Sequence, residues 1–216
     1  MIVTAHQPGY LPGTSVLAKV AHADAVVWLD DVRFTTPGFV NRNQLPDGTW
    51  LAVPVERESH RSTVREVTIG HDGGGWRTGH DHALRERYAH LEHFDPRITA
   101  VLDGPFAAAG ERLVDLNLIL LSHILDDLGL TPREFRQSDY PSPGGDLSSK
   151  LVRMVKAVGG TAYLSGPTNR LDPDRFEREG IELLYFRYAG ENPSVVDPLF
   201  RTGRLPTGPM QEVNVA

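Results

Sequence analysis

Two short apolar runs near the start constrain this chain more than any later feature. Ile2-Val3-Thr4-Ala5 and Ala25-Val26-Val27-Trp28-Leu29 are short, apolar and bounded by polar turns, so each reads as a buried strand. Between them, Ser15 to His22 carries Leu17, Val20 and Ala21 at helical spacing. The opening is therefore β-loop-α-β. The loop after the first strand is His6-Gln7-Pro8-Gly9-Tyr10-Leu11-Pro12, whose prolines and glycine fix the turn. Asp30 and Asp31 follow the second strand. If the two strands are parallel neighbours, His6 and a carboxylate share one edge of the sheet, an arrangement suited to acid–base work. The competing reading is local: His6 bonds within its own turn, and Asp30 or Asp31 caps another.

The middle of the chain adds a hairpin. Pro46-Asp-Gly48 is a turn signal, with Asn41–Leu45 and Thr49–Val55 as its antiparallel strands. Val64 to Ile69 alternates and reads as a further strand. Asn41-Arg42-Asn43 is either a solvated loop or a fork for a carboxylate or phosphate, with Arg42 bidentate and the two amides as neutral donors. Trp76 to Leu91 and Glu111 to Leu128 read as helices. The second has Leu113, Leu116, Leu120, Ile124 and Leu128 as its stripe and Gly129 as its stop. His80 and His82 are two apart and fall on different helix faces, whereas His90 and His93 are three apart and could meet; no carboxylate or third histidine is tied to them by sequence, so no metal is expected.

Beyond residue 130 the pattern is strand, helix, strand, helix, strand: Glu134–Ser138, Leu147–Val158, Thr161–Leu164, Pro173–Glu179 and Ile181–Phe186. Such alternation argues for parallel pairing. Lys150 falls in the first turn of its helix, where a bound anion would account for a cation; the alternative is an exposed side chain in solvent. Ser165-Gly166-Pro167-Thr168-Asn169 is a second junction between a strand and a polar loop. The expected fold class is α/β: a mostly parallel central sheet with helices on both faces and an inserted antiparallel hairpin. Residues 1–200 are expected to form one such domain, with 201–216 as a C-terminal arm.

Composition excludes several classes of function. Without cysteine there is no thiolate chemistry and no disulfide, which suits a cytoplasmic protein. The first twenty residues carry no secretory pattern, and no apolar run is long enough for a membrane span. A net charge of −6 argues against a nucleic-acid polymer as partner and leaves a small-molecule or carrier-bound substrate. Oligomeric state and cofactor have no signature in the sequence.

The order of the segments His6-Gln7-Pro8, Tyr10-Leu11-Pro12, Ala23-Asp24, Leu29-Asp30, Asn41-Arg42-Asn43 and Trp50-Leu51-x-Val53-Pro54-Val55 resembles the WbqC-like family. Later segments, including Lys150-Leu151 and Tyr163-Leu164-Ser165-Gly166, fit more loosely. The resemblance implies a role in bacterial gene clusters for O-antigen and other surface polysaccharides, or for natural products. A looser likeness is to Rossmann-like nucleotidyltransferases of the HUP type, although no His-x-Gly-His is present.

Three functions follow as expectations. In the first, a biosynthetic transferase moves an acyl or aminoacyl group to an amine or hydroxyl on a carrier-bound or nucleotide-linked intermediate. His6 is then the general base, oriented by Asp30. Gln7, Tyr10, Asn41, Arg42, Asn43 and Lys150 contact the substrate, and Ser165, Gly166 and Asn169 line the opposite wall. In the second, the same site forms an adenylate or transfers a nucleotide using ATP. In the third, the pocket binds a metabolite, or the protein acts as a scaffold, without catalysis.

Overall fold

The computed structural model describes residues 1–36, 38–71, 75–98, 102–141, 144–166 and 170–205. The chain opens with β1 (Ile2–His6), α1 (Thr14–Val20) and β2 (Ala25–Trp28). The hairpin β3 (Arg42–Gln44) and β4 (Trp50–Ala52) comes next. Four helices follow: α2 (Gly75–Tyr88), α3 (Asp95–Ile98), α4 (Gly104–Ala108) and α5 (Leu113–Asp127). Then come β5 (Arg133–Arg136), α6 (Leu147–Ala157), β6 (Ala162–Ser165), α7 (Pro173–Arg178), β7 (Glu182–Tyr185) and α8 (Val196–Thr202).

Five strands form one parallel sheet in the order β5-β2-β1-β6-β7, and β3 pairs antiparallel with β4 in a separate sheet. This is the α/β class that the sequence indicates, with its hairpin. The winding runs outward from β1 through β2 to β5, then returns across β1 to lay down β6 and β7. It therefore reverses between β1 and β6, the position where doubly wound sheets open a crevice at their strand ends.

Strand alternation builds the two layers. Ala25 and Val27 face one side with Val3 and Ala5, against Leu151, Val152 and Val155 of α6 and Phe176 of α7. Val26 and Trp28 face the other, with Leu17 of α1, the stripe Leu116-Leu120-Ile124 of α5, and Leu199 and Phe200 of α8. Each fully buried valine, leucine or isoleucine among them contributes roughly 1.5–3 kcal/mol. The layer beneath α6 is tight: a Cβ on Gly160 would lie 2.5 Å from Val3 Cγ2, so only glycine fits there. Asp146 caps α6, its carboxylate accepting from the Ser149 amide at 2.8 Å. Gly129 ends α5 in the left-handed conformation, with φ 67°. No helix among the described residues is long and apolar enough to cross a membrane.

Two segments differ from the sequence reading. Val64 to Ile69 is not a strand. Val64–Glu66 is a 3-10 turn, held because the Glu66 carboxylate accepts from both the amide and the hydroxyl of Thr63. Its extended remnant makes only isolated bridges, Val55 with Ile69 and Thr68 with Arg112. The region after Tyr188 contains α8, with Val195, Val196, Leu199 and Phe200 buried. The start of the expected arm, Arg201 and Thr202, belongs to this helix, and Leu205 packs against the same core. Residues 206–216 lie outside the described residues.

Candidate functional site

The loop from β1 to α1 crosses the switch point, and partners distant in sequence hold it there. Asn117 of α5 is fully buried and donates to the carbonyls of Pro8 and Val40, each at 2.8 Å. The Tyr10 amide donates to the same Val40 carbonyl at 3.0 Å. Leu11 has φ 43°, a left-handed conformation that costs a residue with a Cβ on the order of 1–3 kcal/mol. Its carbonyl is fixed by two side chains, Asn43 Nδ2 and Ser194 Oγ, the latter at 2.9 Å. Strain of this kind persists where surrounding bonds over-determine it.

The segment before α8 closes the next part of the wall. Pro193 O accepts from the Thr14 amide at 2.9 Å, and Asn192 Oδ1 accepts from the Ser15 amide at 2.8 Å. Gly13 and Ser194 form an antiparallel bridge. Gly13 must be glycine for this docking, since a Cβ there would lie 2.6 Å from Asn192 Oδ1.

Between these walls lies a crevice of about 610 Å³. It runs from the end of β1 (Ala5, His6, Gln7) to β6 and its following loop (Tyr163, Gly166) and is bordered by Lys19, Asn43 and Asn192. Its size is that of a small-molecule site. Phe39 and Leu147, both exposed, flank it.

Two titratable groups share its interior. Part of the His6 surface stays open, but protein crowds the rest. That loss of water pushes its pKa down to about 3, and the Lys19 charge adds to the shift. His6 is therefore neutral at ordinary pH. Lys19, in the last turn of α1, is only 4% exposed, and burial pushes its pKa down to about 8. Among the described residues neither side chain has a hydrogen-bond or ion-pair partner.

Of the residues singled out in the sequence, the structure brings His6, Gln7, Asn43 and Gly166 to the crevice. The others among the described residues are placed elsewhere. Asp30 does not orient His6. It is fully buried and accepts from Arg136 Nε at 2.9 Å, the Ser138 amide at 2.9 Å and Ser138 Oγ at 2.7 Å. Beyond its pairing with β1, the chain turns Asp30 toward the end of β5. Tyr10 is a core residue whose hydroxyl meets His80 Nδ1 at 2.9 Å, and burial raises its pKa.

The expected anion fork is structural. Asn41 donates to Val53 O at 2.9 Å, and Asn43 is committed to Leu11 O. Arg42 donates to Gly38 O and lies 4.6 Å over the Trp50 ring. Lys150 borders a small neighbouring hollow with Leu29, Tyr140 and Leu151. Ser165 is fully buried, with its hydroxyl donating to Gly166 O at 3.1 Å. Asn169 lies outside the described residues.

Sequence reading missed Lys19 and Asn192. Lys19 sits one position before Val20 on the apolar stripe of a short helix, and a lysine there reads as solvent-facing. Asn192 lies in a Pro- and Gly-rich stretch with no periodicity. Neither residue carries a local signal in the sequence; the fold alone sets both at the border of the crevice.

The sheet order and this crevice define a doubly wound α/β protein with a ligand-sized opening at its switch point. The chain belongs to the WbqC-like protein family, whose match spans residues 7–203. It is 26% identical to the uncharacterized protein Rv1507c of Mycobacterium tuberculosis (strain ATCC 25618 / H37Rv), covering 91% of this chain and 92% of that protein. No solved structure matches.

Proposed function

We propose that this protein is a transferase of a natural-product or surface-glycan pathway, moving an acyl or aminoacyl group to an amine or hydroxyl. The observation that carries the reading is the placement of His6 and Lys19 in one crevice of small-molecule size, neither side chain with a hydrogen-bond or ion-pair partner among the described residues. A neutral imidazole can accept the proton that the attacking amine or hydroxyl loses, then return it to the leaving group. A pKa of about 3 makes His6 a weak base while the crevice is empty. Burial is the larger cause of this depression; an anionic substrate beside Lys19 would relieve the smaller one, the lysine charge. The Gln7 side chain has no protein partner among the described residues and borders the crevice, where its amide can donate to the developing oxyanion.

The position of the crevice also favours a second reading, ATP-dependent adenylate formation or nucleotidyl transfer, because phosphates bind at switch points in doubly wound folds. Against it stands α1, whose first amides are already bonded to Pro193 and Asn192.

The test is product analysis by mass spectrometry, using the full chain with acyl- and aminoacyl-thioesters and a panel of amine and hydroxyl acceptors. Turnover in the wild type that falls by roughly a hundredfold or more in His6→Gln, at unchanged melting temperature, supports the reading. Equal turnover in the variant removes His6 from catalysis. Release of pyrophosphate from ATP in place of acyl transfer selects the second reading.

A further inference from the structure

Lys19 is unusual in three respects taken together: it is almost fully buried, it borders the crevice, and no carboxylate pairs with it among the described residues. Its Nζ is not sealed off without a partner, unlike the buried nitrogens of Arg77, Arg87 and Arg175. Burial of an uncompensated cation is unfavourable, and a bound anion would remove that penalty.

The surroundings limit which anion fits. In dinucleotide-binding folds a pyrophosphate rests on the amides at the start of the first helix. Here the Thr14 amide is bonded to Pro193 O and the Ser15 amide to Asn192 Oδ1. Lys19 is the only lysine or arginine bordering the crevice among the described residues, so a polyphosphate would stay largely unneutralised. Much of the remaining lining is apolar: Ala5, Val16, Leu29, Val40, Leu147 and Leu151. One cation beside an apolar wall matches one negative charge on an apolar body.

We infer that the crevice takes an organic monocarboxylate, its carboxylate on Lys19 and its apolar body against Leu29 and Leu151. The inference rests on the crevice being the substrate site proposed above, and it narrows the acceptor of that reaction to an amino or hydroxy acid, whose amine or hydroxyl takes the acyl group as the thiol of the thioester leaves. An apolar amino acid and an apolar hydroxy acid share this chemistry, and hexanoate presents its carboxylate and apolar body alone.

Isothermal titration of the full chain tests it, with hexanoate and L-leucine as the two carboxylate probes. Hexanol serves as the uncharged isostere, and inorganic phosphate and ATP with magnesium as competing anions. At least one carboxylate is expected to bind roughly tenfold or more tighter than hexanol, and to lose a similar factor in Lys19→Met. Tighter binding of leucine assigns the site to an amino-acid acceptor, and tighter binding of hexanoate to an apolar hydroxy-acid acceptor, whose recognition needs no amine. Binding that is equal in Lys19→Met, a preference for phosphate or ATP, or no heat from either carboxylate overturns the inference. If Lys19→Met fails to fold, the comparison of carboxylates with hexanol in the wild type decides alone. His6→Gln separates the two proposals: it is expected to keep carboxylate binding while losing turnover.

Discussion

The ends of β1 and β2 lie side by side, joined by the pairing of His6 with Trp28 and by the bond from the Leu29 amide to His6 O at 2.7 Å, yet their chemistries are opposite. After β2, the Asp30 carboxylate is fully buried and accepts three hydrogen bonds from Arg136 and Ser138. After β1, His6 faces a crevice with no hydrogen-bond partner among the described residues, and Lys19 beside it has no counter-charge. One junction is a satisfied lock that joins β2 to the end of β5. The other keeps polar groups unsatisfied, which a fold tolerates where a ligand can complete them. A polar residue after a buried strand is therefore an ambiguous signal, and partner accounting separates lock from site.

The largest expected effect tests the lock. Asp30→Ala removes the acceptor of three bonds and leaves Arg136 and the Ser138 amide without it, at a cost of roughly 2–4 kcal/mol. Arg136 is 37% exposed and can be rehydrated, which favours the lower part of that range. Urea unfolding measures it. A loss below about 1 kcal/mol would break the contrast from the structural side.

The next effect has the opposite sign. The folded-state pKa of Lys19 is lowered from 10.5 to about 8, so between those values the unfolded chain binds more protons and stability rises with pH. Below pH 8 the full penalty applies, on the order of 3 kcal/mol. Lys19→Met is therefore expected to stabilise the protein at pH 7 by up to about that amount, and to lose its advantage by pH 10.5. A destabilised variant would mean that Lys19 serves the fold and not a ligand.

Much of the scaffold was legible because local pattern and tertiary context agree. β1, α1 and β2 fall within a residue or two of their apolar runs, the Pro46-Asp-Gly48 turn produces its hairpin, and the α5 stripe is the buried face. Where two local signals compete, the reading failed: Val64–Ile69 alternates like a strand, but the Thr63–Glu66 bonds wind its start into a turn. α8 was hidden because Pro193 and Pro198 punctuate a segment whose burial comes from distant partners.

The candidate crevice was half legible: of the residues singled out, some line it and others are bonded elsewhere. His6 and Gln7 are marked by their place after a strand. The roles of Asn41, Arg42 and Asn43 depend on which carbonyls and rings lie within reach, and Lys19 depends on the crevice into which its helix happens to turn it. Neither kind of information is local in sequence.

The central claim is that the end of β1 holds a neutral histidine and, in the same crevice, a lysine with no partner among the described residues. Its most direct test is an NMR titration of the His6 imidazole in the full chain, assigned with His6→Gln and repeated in Lys19→Met. The account predicts no protonation of His6 between pH 8 and about 4, with a midpoint near 3 that moves upward when the Lys19 charge is removed. A midpoint near 6.5 that Lys19→Met leaves unchanged would contradict it.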